Sequence, residues 1–159
     1  MRLFTKHFGE VEYSSKRCLQ FSRGLVGFEH LRRWALLDDP SDPALAWLQS
    51  VSEASMCVPV VAARRFFPDY RATLPAEDMA LLGDPDHRRV SVLLIATSTS
   101  DGHWTANLRA PLVIETQSMT GIQSIAKESL SVSVPLVMGG TIATDRTRNA
   151  PAAPIRRAA

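Results

Sequence analysis

What most constrains this chain is a rhythm. Short apolar or alternating runs are cut off by Gly, Pro, Asp or Ser every ten residues or so, the spacing of an all-β domain. The clearest run is Arg89–Thr97. Val90, Val92, Leu94 and Ala96 fall on one face of an extended chain, and Ser91, Leu93, Ile95 and Thr97 on the other. Apolar side chains on both faces predict a central strand. Asp101-Gly102 is a strong turn signal and Trp104 resumes the strand pattern, so 89–115 reads as one long hairpin. Further strands are predicted at Arg2–Lys6, Glu10–Tyr13, Cys18–Phe21, Arg33–Leu37, Ala46–Val51, Met56–Ala62 and Gln123–Lys127. A short helix is predicted over Leu74–Gly83, with proline near its first turn, acids beside it, apolar Met79 and Leu82, and a closing glycine. So short a helix must pack on the sheet or cap a barrel end. Doubly wound α/β folds are excluded, because other helical periodicity is nearly absent.

At 159 residues one domain is expected. Apolar residues at 45% and charged residues at 21% exclude a wholly disordered chain, a collagen, a coiled coil and an integral membrane protein. The charge is unevenly placed. Overall it is +2; residues 140–159 contribute +3 from Arg146, Arg148, Arg156 and Arg157 against Asp145, which leaves −1 for the rest. The basic character therefore belongs to the tail, and the folded part shows no overall basic balance for nucleic acid. Residues 1–138 are read as the β domain, and 139–159, rich in Ala, Pro and Arg, as a disordered basic tail. Cys18 and Cys57 form no CxxC or zinc pattern and are read as reduced thiols. The first residues show no apolar signal-peptide core and no run reaches membrane-helix length, so a cytoplasmic protein is expected.

No catalytic pattern assembles. GxSxG, HExxH, GxxxxGK[ST] and GxGxxG are absent, and His7, His30, His87 and His103 stand singly. The expectation is a protein that is not an enzyme and carries no metal or cofactor. Arg23-Gly24-Leu25-Val26-Gly27 is read as a turn, and Cys57 as a small hydrophobe in an apolar strand. Arg64-Arg65-Phe66-Phe67 mixes cations and aromatics; it is read as a strand end whose phenylalanines enter the core while the arginines stay wet. Asp38-Asp39-Pro-Ser-Asp42 is a loop with three acids and no base. It is either a solvated turn or an electrostatic lure for a basic partner.

Several segments carry a family resemblance. They run in order from Phe8-Gly9-Glu10-Val11-Glu12 through Phe21-Ser-Arg-Gly24-Leu25-Val-Gly27-Phe28-Glu29, Leu36-Leu37, Trp47-Leu48-Gln49-Ser50 and Pro68-Asp69-Tyr70 with Leu74, to Val90–Ile95 and Thr105-Ala106-Asn107-Leu108-Arg109-Ala110-Pro111-Leu112-Val113-Ile114. Over residues 2–136 the chain resembles the flagellar assembly factor FliW family. The resemblance implies a compact antiparallel β-barrel-like or sandwich domain with one or two short helices. It also implies no catalysis and two protein partners, flagellin and the carbon storage regulator CsrA, a small RNA-binding dimer. Family members stop CsrA repressing flagellin translation, and new flagellin draws the factor away. No direct nucleic-acid contact, no membrane contact and a monomeric unbound state are expected. Cys57 and the Arg/Pro tail depart from the family pattern.

A partner surface is expected at Asp38, Asp39 and Asp42, at Phe66, Asp69 and Tyr70 within Arg64–Tyr70, and at Glu77 and Asp78 with the following loop to Asp86. Negative charge there would attract a basic partner and repel RNA phosphates. The rival reading is a small-barrel nucleic-acid-binding protein that uses the basic C-terminal tail as an electrostatic arm.

Overall fold

The computed structural model describes residues 1–138 and the backbone of residues 156 and 157. The expected disorder of 139–159 therefore lies outside the described residues, apart from that one dipeptide. The strands are β1 Arg2–Thr5, β2 Gly9–Glu12, β3 Cys18–Phe21, β4 Arg33–Asp38, β5 Leu45–Ser50, β6 Cys57–Ala62, β7 Thr73–Leu74, β8 Val90–Ser98, β9 Trp104–Ala106, β10 Leu112–Glu115, β11 Thr120–Gln123, β12 Val134–Leu136 and β13 Arg156–Arg157. Two short helices, α1 Ala63–Phe66 and α2 Ala76–Leu81, interrupt them.

The main sheet closes on itself. β3, β4, β5, β6 and β8 pair in antiparallel succession, β8 pairs β10, β10 pairs β11, and β11 returns to β3. The closing contact is parallel, with Thr120 opposite Gln20 and Gly121 opposite Phe21, so the ring is not purely antiparallel. Gly121 permits this closure. A Cβ there would stand 2.8 Å from the Phe21 ring, which fills the lumen instead. The barrel interior holds Leu19, Phe21, Leu25, Leu31, Trp34, Leu48, Val60, Leu112 and Ile114, with Leu93 and Ile95 packed against them. Trp34 is fully enclosed and its indole N–H donates to the Leu31 carbonyl at 3.1 Å.

β8 is central, as its two apolar faces require. Leu93 and Ile95 point into the barrel, while Val90, Val92, Leu94 and Ala96 form a second core on its outer side. That outer core is covered by Tyr70, Ala72, Leu74, Met79, Leu82, Ala126 and Leu136. The chain between β6 and β8, together with 124–136, thus forms an outer layer over β8 and β10. This layer carries the surface features discussed below.

Three expectations need correction, and one strand was not predicted. The second arm of the 89–115 hairpin is broken, because β9 and β10 are separated by residues 107–111. Asn107 turns the chain there, its Oδ1 accepting from the amides of Arg109 and Ala110 at 3.0 and 3.2 Å. The predicted strand at Gln123–Lys127 lies earlier, at Thr120–Gln123, since Gly121 masks a strand that pairs on both edges. Arg64-Arg65-Phe66-Phe67 is not a strand end: α1 takes Ala63–Phe66, with Phe67 closing it through its N–H to the Ala63 carbonyl. The phenylalanines still pack on the core and the arginines still face outward. The edge strand β12, antiparallel to β9, carried no signal that was read.

Candidate functional site

The three groups of expected partner residues meet different fates. In the β4–β5 connection, Asp38 forms a two-pronged ion pair with Arg17, at 2.5 and 2.7 Å. The Arg17 guanidinium holds the Asp38 carboxyl below the usual range, against a smaller opposing effect of burial. Asp39 folds the loop. Its Oδ1 accepts from the amides of Ser41 and Asp42, and its Oδ2 from the Trp47 indole, each at 2.8 Å. Burial alone would raise the Asp39 pKa; those donors, with His7 nearby, outweigh it and hold the group low. Asp42 accepts from the Ala44 amide at 2.8 Å. The acids of the loop are thus engaged in its own architecture as caps and pairs.

α1 sits beside this loop, because Arg65 donates to the Pro43 carbonyl at 3.2 Å. Just beyond it, Phe66, Asp69 and Tyr70 come together. With Phe67, Pro68, Arg71, Leu108 and Leu130 they line a groove of about 510 Å³. Its floor is fixed by Tyr70, whose hydroxyl donates to the Leu108 carbonyl at 2.7 Å. Burial, with the charge of Glu128, pushes the Tyr70 pKa well above its ordinary value, so the phenol stays a donor. Asp69 is exposed at the rim.

Glu77 and Asp78 are neighbours with opposite roles. Glu77 is exposed on α2. Asp78 is 8% exposed; its Oδ1 accepts from Arg23 at 3.0 Å and its Oδ2 from the Ser124 hydroxyl. One carboxylate therefore ties α2 to the β3–β4 loop and to the strand end after β11. That loop is itself specified by Gly24, at φ +71°. A Cβ at this position would lie 2.6 Å from the Glu29 backbone, so the residue can only be glycine. Asp84 and Asp86 are exposed beyond α2, where Asp86 caps the turn leading into β8 through the Arg88 amide.

One cluster went unread in the sequence. His7, Phe8, Trp47 and Trp104 gather in one cluster: Phe8–Trp47 and Trp47–Trp104 meet edge to face with ring centroids 5.5 and 6.4 Å apart, and the His7 ring lies tilted against Trp47 at 4.8 Å. Both tryptophans are only partly buried. They come from strands far apart in the chain, and their common signal was a tryptophan at an outward strand position. The Trp47–Asp39 bond joins this cluster to the acidic loop, and the Arg65–Pro43 bond joins the loop to the groove side. The result is a continuous face of aromatic side chains, a capped acidic turn and an apolar groove. Half-exposed aromatic anchors of this kind are enriched where proteins bind proteins.

Cys57 is half-buried and desolvation pushes its thiol up to about 11, so it stays neutral at physiological pH. Cys18 and Cys57 are separated by β4 and β5, about 14 Å along the sheet at ordinary strand spacing, beyond the reach of a disulfide. Among the described residues no group of three His, Cys, Asp or Glu side chains gathers as a metal site. No described helix is long and apolar enough to cross a membrane.

The family model described as FliW protein matches residues 2–136. A flagellar assembly factor FliW of Bdellovibrio bacteriovorus is 36% identical over 138 residues, covering 86% of this chain and 79% of that protein. One from Lachnoclostridium phytofermentans is 32% identical over 136 residues, with 83% and 87% covered. A crystal structure of the flagellar assembly factor FliW superposes with a TM-score of 0.74 at 26% identity, covering 86% of this chain and 97% of the other.

Proposed function

Since this chain belongs to the FliW family, we propose that it is a non-enzymatic flagellar assembly factor that binds flagellin and antagonises CsrA, relieving repression of flagellin mRNA translation by exchanging one partner for the other. The observation that carries this reading is the family match across residues 2–136, which spans the whole barrel and its outer layer. The geometry supports it with a surface suited to proteins: half-exposed Trp47 and Trp104, the Asp38–Asp42 turn and the Phe66–Leu130 groove. Such a surface offers apolar anchors for affinity and fixed carboxylates for steering. The partners act in the cytoplasm, where flagellin is made and translation is regulated.

The test is isothermal titration of the full chain with flagellin and then with CsrA from the same organism. Saturable binding of each, with flagellin displacing CsrA, is the expected result. Binding of flagellin alone leaves an assembly factor without a translational arm. Binding of neither overturns the reading. RNA binding that weakens steeply with salt and disappears when residues 139–159 are removed would instead favour the nucleic-acid alternative.

A further inference from the structure

The groove at Phe66–Leu130 lies in a part of the surface whose charge is opposite to that of the turn beside it. The segments that wall it, with their next neighbours in the chain, are 64–71, 108–109 and 127–130. They hold five bases, Arg64, Arg65, Arg71, Arg109 and Lys127, and two acids, Asp69 and Glu128, all of them exposed. Glu128 is committed to Thr73, whose amide donates to its two carboxylate oxygens at 3.1 and 3.0 Å and whose hydroxyl donates to one of them. Asp69 stands at the rim among the bases. The β4–β5 connection, by contrast, carries Asp38, Asp39 and Asp42 and no base. An acid-bearing segment is repelled by the turn and attracted by the groove.

The recess itself is apolar and already formed. Phe66, Phe67, Leu108 and Leu130 line it half-buried, held by the core beneath them and open on one side. Its walls are fixed from within. The Tyr70 hydroxyl holds the Leu108 carbonyl at 2.7 Å, the Leu108 amide donates to the Ser131 carbonyl at 3.0 Å, and Asn107 caps the turn that presents Arg109. Arg71 donates to the Tyr70 carbonyl at 2.8 Å, which keeps its guanidinium beside the groove. A preformed apolar site with a few fixed polar groups gives up little freedom when it is filled. Guanidinium groups match carboxylates, to which they present a fork of parallel donors. Nucleotide bases stack on open ring faces, whereas Phe66 and Phe67 are set among aliphatic side chains with the core behind them. An apolar side chain next to an acid is the better fit.

We infer that the Phe66–Leu130 groove docks a short segment of a partner protein that seats a leucine-like or phenylalanine-like side chain in the recess and sets an Asp or Glu carboxylate among Arg65, Arg71 and Arg109. The inference rests on the reading of this chain as a protein that binds proteins, and names the chemistry of one contact within it.

Short random peptides displayed on phage are selected on the full-length chain and, in parallel, on its Arg71→Glu/Arg109→Glu variant. Both side chains are exposed, so the variant should unfold in urea as the parent does. Peptides enriched by the parent should pair Asp or Glu with Leu, Ile or Phe. Those enriched by the variant should carry Lys or Arg in place of the acids. A peptide selected by the parent, once synthesised, should bind the variant at least about ten-fold more weakly. Arg71→Gln/Arg109→Gln gives the same measurement with neutral side chains, should the charge reversal disturb the fold. Enrichment of basic or uncharged peptides by the parent, no enrichment at all, or acidic peptides that bind both double variants as tightly as the parent overturns the inference. So does single-stranded polyuridylate that binds more tightly than the selected peptides and is lost in Arg71→Glu/Arg109→Glu, which assigns the groove to nucleic acid. Neither flagellin nor CsrA is used. A chain that exchanges those two partners but selects no acidic peptide keeps the family reading and loses this one.

Discussion

The acidic turn between β4 and β5 and the groove beyond α1 stand side by side, joined by the Arg65–Pro43 hydrogen bond, yet they present opposite chemistry. In the turn, the carboxylates that look available are occupied: Asp39 by two amides and an indole, Asp42 by an amide, Asp38 by Arg17. In the groove the side chains that look like core material, Phe66 and Phe67, stay only partly covered around a recess of about 510 Å³. Charge in a sequence reports what a loop could offer a partner, and hydrogen bonding decides how much is left to offer. The same contrast separates Glu77 from Asp78, adjacent acids of which one faces water and the other is buried in a three-way tie.

That last contrast gives the largest expected effect. Asp78→Ala leaves the Ser124 hydroxyl unpartnered in a buried site and frees α2 from the β3–β4 loop, a loss of about 2–3 kcal/mol. The lower end of the range for buried pairs applies, because the Arg23 side chain is 63% exposed and recovers water. Glu77→Ala should change stability by no more than about 0.5 kcal/mol. Urea unfolding of the two variants checks both figures, and equal losses would erase the distinction between the two acids.

Asp39→Ala comes next. Three donors lose their acceptor, two of them amides of the turn, and a loss of about 1–2 kcal/mol follows. The variant should also free the Trp47 indole, which a fluorescence shift would show against the fully enclosed Trp34. A loss confined to the fluorescence, with unchanged unfolding, would mean that the turn holds itself without this carboxylate.

The acid limb of stability follows from the same groups. Asp38, Asp39 and Glu115 have folded pKa values held below their ordinary ones, Glu115 by the Ser118 hydroxyl and by the amides of Ser118 and Gln117. A depressed folded pKa favours the folded state above the unfolded pKa, near 4, and that advantage is lost as pH falls through the folded value. The urea midpoint should therefore stay level from pH 7 to about 5 and drop below about 4. Glu115→Gln should lower the neutral plateau and flatten the drop. A midpoint just as steep in that variant would take the turn after β10 out of the account.

How far these features were legible in the sequence depends on the range of the interaction. The two-faced pattern of Val90–Ala96 was legible because a strand's period is local, and both cores flank β8 as that pattern requires. The Asp101-Gly102 turn was legible for the same reason. The parallel closure of β11 on β3 was not, since it joins residues about a hundred positions apart and depends on Gly121 yielding its space to Phe21. α1 escaped because one helical turn without a side-chain cap leaves no periodicity to read. Phe66, Asp69 and Tyr70 line one recess, and their nearness in sequence is what makes such a grouping legible. His7, Phe8, Trp47 and Trp104 could not be grouped before the strands were placed.

At Asp38 only a small effect on stability is expected, and this residue bears most directly on whether the turn steers a partner. The Asp38 side chain is 73% exposed, so its pair with Arg17 contributes at most about 0.5–1 kcal/mol and Asp38→Asn should unfold almost as the parent does. Steering depends on the summed field of a surface rather than on free lone pairs. A carboxylate already paired with Arg17 still cancels that cation, and removing it turns the turn one charge more positive. Asp38→Asn should therefore slow association with CsrA several-fold at low salt, fading near 1 M salt, where the screening length is about 3 Å. Adding Arg17→Gln restores the original local charge without restoring the pair. Recovery of the on-rate in Arg17→Gln/Asp38→Asn would assign the effect to the field. A rate that stays slow would assign it to Asp38 as a contact, and an on-rate unchanged in the single variant would remove the acidic turn from the binding surface and leave the groove and the tryptophans to account for it.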